Sequence, residues 1–310
     1  MRKDTLPALA LIACILGAAN HLSGQVGQAF QIGRTGQNFP SIQSPEVPAY
    51  STRQSVNFPV YPVAQPVGIQ VNSFLQSTSE PVYAIRPSVD LPVFFAAAAW
   101  DIYNFSQIAK KDGSSLQSVN SLKISDINWF DRWAVHPYSK SIDQLSYIPF
   151  YVAIPLPLIV FGIDERMRKD FLPLTFLYAQ AMTLTGVLYS SAVHYVDRFR
   201  PLVYESSSPI DTRLSPNSRN SFFAGHVALV STSVFFIART YADYHPRSKA
   251  KWIFYTGAAL ITGLTGYWRN MAGEHFPTDI ALGSLVGISS GLLTPALHRI
   301  KKKAPVTVLP

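Results

Sequence analysis

Five stretches of this chain contain no Asp, Glu, Lys or Arg and approach the length of a bilayer: 144–163, 171–195, 221–238, 252–268 and 280–297. A helix rises 1.5 Å per residue, so about 20 apolar residues cross a hydrocarbon layer roughly 30 Å thick. A backbone inside that layer must satisfy its own N–H and C=O groups, and a helix does so within one segment. The runs therefore point to an all-α fold, a transmembrane bundle of about five spans. Only 14% of the residues are charged, against about 25% in soluble domains. Pro149, Pro155 and Pro157 predict a kink in the first run. Gly283, Gly287 and Gly291 recur every fourth residue and line one helix face, which suits close helix packing, as do Gly257, Gly263 and Gly266.

Ahead of the runs, Met1-Arg2-Lys3, the apolar stretch 6–19 and the small residues after it have the form of an export signal, either cleaved near residue 24 or kept as an anchor. Cys14 is one apolar residue of that stretch. As the chain's single cysteine it permits no internal disulfide and no cysteine-based zinc site. Residues 25–88 are rich in Gln, Ser, Pro and Val and read as a polar exported linker. A sixth apolar candidate, 91–105, is short and interrupted by Asp101.

The net charge of +8 is not spread evenly. Segments 164–170, 239–251 and 299–303 hold eleven Lys and Arg against four Asp and Glu. The positive-inside rule puts all three in the cytoplasm. An exported N-terminus then leaves 25–143 outside, so parity makes 91–105 a re-entrant or interfacial helix within an exported segment 89–142. The expected membrane is a bacterial inner membrane. No basic stretch with interleaved aromatics lies outside the cytoplasmic loops, which argues against nucleic acid as a partner. Oligomeric state is left open.

This topology gathers loops 196–220 and 269–279 on the outer face. Arg198 and Arg200-Pro201 close one span, and Gly225-His226 open the next. Arg269 closes the fourth, and His275-Phe276-Pro277-Thr278-Asp279 open the fifth. Arginine forks match phosphate oxygens, and helix N-termini favour anions. His275 and Asp279 are four apart and share a helix face. A carboxylate there can hold one ring nitrogen and leave the other free to attack, while a second histidine protonates a leaving oxygen. The set fits phosphoryl transfer with a histidine nucleophile and no metal or cofactor. His194 and Tyr195, one turn before Arg198, belong either to this set or to the membrane interface. Glu274, beside His275, reads as exposed.

Arg200-Pro201, Gly225-His226 and Arg269 with His275 and Asp279 resemble, in order and spacing, the three motifs of the type 2 phosphatidic acid phosphatase (PAP2) superfamily, which includes the vanadium haloperoxidases. The resemblance covers residues 143–300. It implies a helical catalytic domain there, followed by a basic tail at 301–310. It also implies hydrolysis of a lipid phosphate monoester or diphosphate through a phosphohistidine. His275 would be the nucleophile, Asp279 its orienting partner and His226 the general acid. Arg200, Arg269 and the Gly225 N–H would hold the phosphoryl oxygens. The chain departs from the family at three positions: Val193 and Ala224 stand where it usually has Lys and Ser, and Trp268 stands where it has Ser. Arg198 or His194 would make up the lost contacts. A lipid phosphotransferase, or a degenerate protein that only binds anionic lipid, remains as an alternative.

Overall fold

The structure is a computed structural model and describes residues 81–300. The expected signal at 1–24, the linker up to residue 80 and the tail at 301–310 lie outside the described residues. Among the described residues there are nine α-helices and no strand. They are α1 (Pro87–Ile108), α2 (Leu116–Asn120), α3 (Lys140–Ala153), α4 (Leu156–Ile163), α5 (Phe171–Tyr195), α6 (Ile210–Leu214), α7 (Gly225–Tyr244), α8 (Lys251–Met271) and α9 (Pro277–His298).

Three stretches are long and apolar enough to cross a membrane: Lys140–Ile163, Met167–Tyr195 and Pro277–His298. The first is broken where predicted, since α3 stops before Pro155 and α4 restarts after it. Helices α7 and α8 have comparable lengths, 20 and 21 residues, with a more polar composition. In α7 the reason is visible. It is the central helix, packed against α3, α4, α5, α8 and α9. Its buried Ser231, Thr232 and Ser233 return their hydroxyls to backbone carbonyls one turn earlier. Thr232 also meets Thr185 of α5 at 2.8 Å.

The glycine stripe of α9 is the seam against α7. A Cβ at Gly283 would sit 2.6 Å from the Ala224 carbonyl oxygen, and one at Gly291 2.6 Å from that of Thr232. Gly287 is pressed equally hard onto Ala228. The glycines of α8 differ. Gly266 is held against Ile280, but Gly257 and Gly263 face open space and support no helix contact.

The segment 91–105 is part of a longer helix than its apolar run suggests. It lies within α1, 22 residues long, which runs parallel to α5 for its whole length. Phe94 meets Phe176 near one end, and Trp100 and Asn104 bond to Ser191 further on. Asp101 does not interrupt this helix because its carboxylate rests in the gap left by Gly186 on α5. A single sequence cannot reveal that accommodation.

The two ends of the bundle are chemically distinct. At one end the basic segments converge: Arg166 donates to the Tyr244 carbonyl, His245 meets Asp164 at 2.8 Å, and Arg299 pairs with Asp243 at 3.1 Å. Tyr83 also bonds to Asp243 here, so α1 starts at this basic end. It finishes at the opposite end, where the Lys111 ammonium meets the Val193 carbonyl. The chain entering α1 therefore lies beside the basic loops.

Candidate functional site

The last turns of α5 and α8 and the first turns of α7 and α9 meet at the end away from the basic loops. The connections are short and hydrogen-bonded. Ala224 N–H donates to the Asp279 carbonyl at 3.1 Å, and Leu202 N–H donates to that of Gly273 at 2.9 Å. Gly273 needs its residue type, because its φ is +74° and a Cβ would strike the His136 carbonyl.

His275 is 2% exposed, and its Nδ1 lies 2.8 Å from the Ser221 carbonyl oxygen. That oxygen can only accept, so the ring carries its proton on Nδ1 and presents Nε2 as a base or nucleophile. Burial, then the charges of Arg200 and Arg269, hold His275 well below the usual histidine pKa. The ring is therefore neutral at ordinary pH. Arg200 and Arg269 are themselves buried. Burial and the neighbouring Arg269 lower Arg200 to about 10, which leaves it charged.

Glu274 is not exposed as the sequence suggested. It is 6% exposed, and its carboxylate is shared by Arg200 and by Arg269 Nη2, the latter at 2.7 Å. Arg269 also donates through Nη1 to Asp143 and Ser146 of α3, at 2.6 and 3.1 Å. The two guanidinium groups thus form a buried, anion-occupied pair beside His275.

Asp279 is fully buried but does not hold His275 directly. Its Oδ2 accepts from Ser221 Oγ at 2.6 Å and from Phe276 N–H at 3.0 Å. Ser221 is the link: its hydroxyl engages Asp279 while its carbonyl engages His275. Asp279 sits one turn into α9, pointing back at the helix start, and this pulls it off the imidazole.

Two further expected site residues make other contacts. Arg198 is paired with Asp131 and Asp279. Its Nη1 donates to Asp279 and Thr278, its Nη2 to Asp131 at 2.7 Å, and it lies over the Phe276 ring. Both of its terminal nitrogens are met by carboxylates, as both of Arg269's are met by Asp143 and Glu274. His194 lies in the α1–α5 seam, with Nδ1 2.8 Å from Asn104 Oδ1 and its ring stacked on Tyr195. The Val193 carbonyl is met by a lysine that the sequence did not single out. Lys111 reaches that carbonyl from the end of α1, but its charge is met by Asp197.

His226 is in the first turn of α7, with its ring edge-on to Tyr147 and Phe150 of α3 at 4.7 and 5.0 Å between centroids. Ala224 gives α7 no side-chain cap, so the first N–H groups of that helix are left for an anion. Gly225 is required there, because a Cβ would fall 2.5 Å from the Tyr189 ring.

Ser221, Asp131 and Asp143 carried no sequence signal. Asp131 lies in the turn before α3, far from the motifs, and is 0% exposed. It accepts from Thr278 N–H at 3.1 Å as well as from Arg198. Burial works to raise its carboxyl, but donation from Thr278, Asn128 and Arg198 outweighs this, and its pKa lies below the ordinary value.

The family model of the PAP2 superfamily matches residues 174–303. Over that segment the chain is similar to the PAP2 superfamily. The matched segment contains His226, His275, Asp279, Arg200 and Arg269, whereas Asp131 and Asp143 precede it. A crystal structure of Aquifex aeolicus LpxE is similar, with 28% identity, coverage of 50% of this chain and 82% of that chain, and a TM-score of 0.36. A comparison with curated proteins gives no match.

Proposed function

We propose that the protein is a membrane phosphatase that releases phosphate from a lipid phosphate monoester or diphosphate, at the bundle end opposite the basic loops. The observation that carries this reading is the buried His275. Its Nδ1 is fixed by Ser221 and its neighbours are two buried arginines. In the first step Nε2 forms a bond to phosphorus as the bond to the leaving oxygen breaks. His226 gives that oxygen a proton. Arg200, Arg269 and the open N-terminus of α7 take the charge on the phosphoryl oxygens. Water then attacks the phosphohistidine and returns a proton to His226, and inorganic phosphate leaves. The match of residues 174–303 to the PAP2 superfamily model supports the chemistry. A site at the mouth of apolar helices supports a lipid substrate, which would enter from the bilayer with its headgroup already at that level.

The test is phosphate release by the purified protein from a panel of lipid phosphates, with and without acceptor alcohols. His275→Ala should lower release by about three orders of magnitude or more, the scale of losing a covalent nucleophile. Because His275 is neutral in the folded protein, wild-type turnover should not fall as pH drops through about 6.5, the ordinary histidine value. A phosphorylated acceptor would make the protein a transferase. Binding of every lipid with no turnover of any would exclude both enzyme readings. We further propose that the basic end is cytoplasmic and the site faces the exported side of an inner membrane, on the strength of the charge asymmetry.

A further inference from the structure

The turn that carries Asp131 has two opposed faces. Asp131 points inward and is fully buried, while Trp129, Phe130 and Trp133 around it are 79%, 50% and 65% exposed. The turn is held rigidly. Asn128 donates to Asp131 at 2.7 Å and accepts from its N–H at 3.0 Å. Arg132 spends its guanidinium on the carbonyls of Ile127 and Ser125, both at 2.7 Å. Three large aromatics presented outward by so constrained a turn are not the product of a loose loop. Exposing them to water carries a hydrophobic cost that a soluble surface normally avoids.

Their location identifies the occupant. Asp131 accepts from Thr278 N–H in the first turn of α9, so the aromatics stand beside the start of that helix. The outer face of α9 exposes Leu285, Leu293 and Leu297, and α9 is one of the stretches apolar enough to cross a membrane. At the same end of the bundle, Tyr195 closes α5 and Tyr267 lies in the last turns of α8, both largely exposed. Tryptophan and tyrosine at the ends of spanning helices favour the headgroup level of a bilayer. The aromatic face of the turn and these tyrosines thus lie at the same end of the bundle.

We propose that residues 128–133 form an interfacial wedge: Trp129, Phe130 and Trp133 seat in the headgroup region of the leaflet at the site end, and Asp131 fixes the turn to the start of α9 beside the site. A chain of contacts runs on from there. Asp131 pairs with Arg198, Arg198 with Asp279, Asp279 accepts from Ser221 Oγ, and the Ser221 carbonyl holds His275 Nδ1. Asp131 positions the turn and touches no substrate. The wedge deepens the phosphatase reading by making the substrate a phosphate presented in a bilayer, and its turnover test rests on that reading.

The experiment compares the full chain with its Trp129→Ala/Trp133→Ala variant, both reconstituted in phosphatidylcholine vesicles brominated at the upper acyl carbons. The extra tryptophan emission of the wild type should be quenched by the brominated lipid and not by aqueous iodide. Quenching by iodide alone, or by neither agent, would overturn the wedge, since the turn would then lie in water or under protein. In the second arm, the variant should hydrolyse a vesicle-borne lipid phosphate about tenfold more slowly, as expected when apolar area no longer anchors the turn. Hydrolysis of a water-soluble short-chain phosphate should be unchanged. Equal loss on both substrates would overturn the tie to bilayer seating. If the wild type hydrolyses neither substrate, the phosphatase reading fails, and the quenching arm still decides whether the wedge is seated.

Discussion

Glu274 lies between Arg200 and Arg269 and accepts from both, beside the buried His275. A carboxylate and a phosphoryl group compete for the same guanidinium donors. Replacing it with Gln should have two linked effects. Arg200 would lose its carboxylate partner and Arg269 one of its two, so the protein should melt at a lower temperature without ligand. Inorganic phosphate should then restore more stability to Glu274→Gln than to wild type and inhibit it several-fold more tightly, because binding the native state alone stabilises it. Thermal melts with and without phosphate, and the phosphate inhibition constant, measure this. Unchanged phosphate affinity would mean that Glu274 and phosphate occupy different places. At this scale the sequence was partly legible. His226, His275, Arg200 and Arg269 could be named from their positions at helix ends. Glu274 could not, since its residue type most often means exposure and its burial depends on two arginines 74 and 5 positions away.

At the level of helices, the α7–α9 seam is the tightest feature, and its sequence sign was a plain four-residue repeat. Gly287→Leu should prevent these helices from closing, at a cost of about 3 kcal/mol or more. Because Asp279 and Ala224 belong to the same pair of helices, activity should be lost with stability. Gly263→Ala makes the contrast. That position faces open space and sits inside α8, so the change should stabilise the protein by up to about 1 kcal/mol through helix propensity. Melting temperatures of the two variants in detergent check both. Helix α1 was less legible. Asp101 reads as an interruption in one dimension, and only the Gly186 gap on α5 shows how a carboxylate fits within a 22-residue helix.

Taken whole, the molecule separates charge from chemistry along its long axis. The basic segments meet at one end and the buried arginine pair with His275 at the other. With Cys14→Ser as background, a cysteine placed at exposed Ser206 should react with an impermeant reagent in intact cells, while one at Lys249 should react only after the membrane is opened. The reverse pattern would invert the proposed orientation. The sequence by itself determined the all-helical class, the glycine seam and the motif residues, because these depend on composition and on spacing along one chain. Only the tertiary structure decided which partners those residues have. It put Ser221 between Asp279 and His275, turned Arg198 toward Asp131, filled the arginine pair with Glu274, and set α1 upright beside α5. Each of these depends on groups far apart in sequence, whose burial requires a counter-charge or hydrogen bond that only three-dimensional packing can bring within reach.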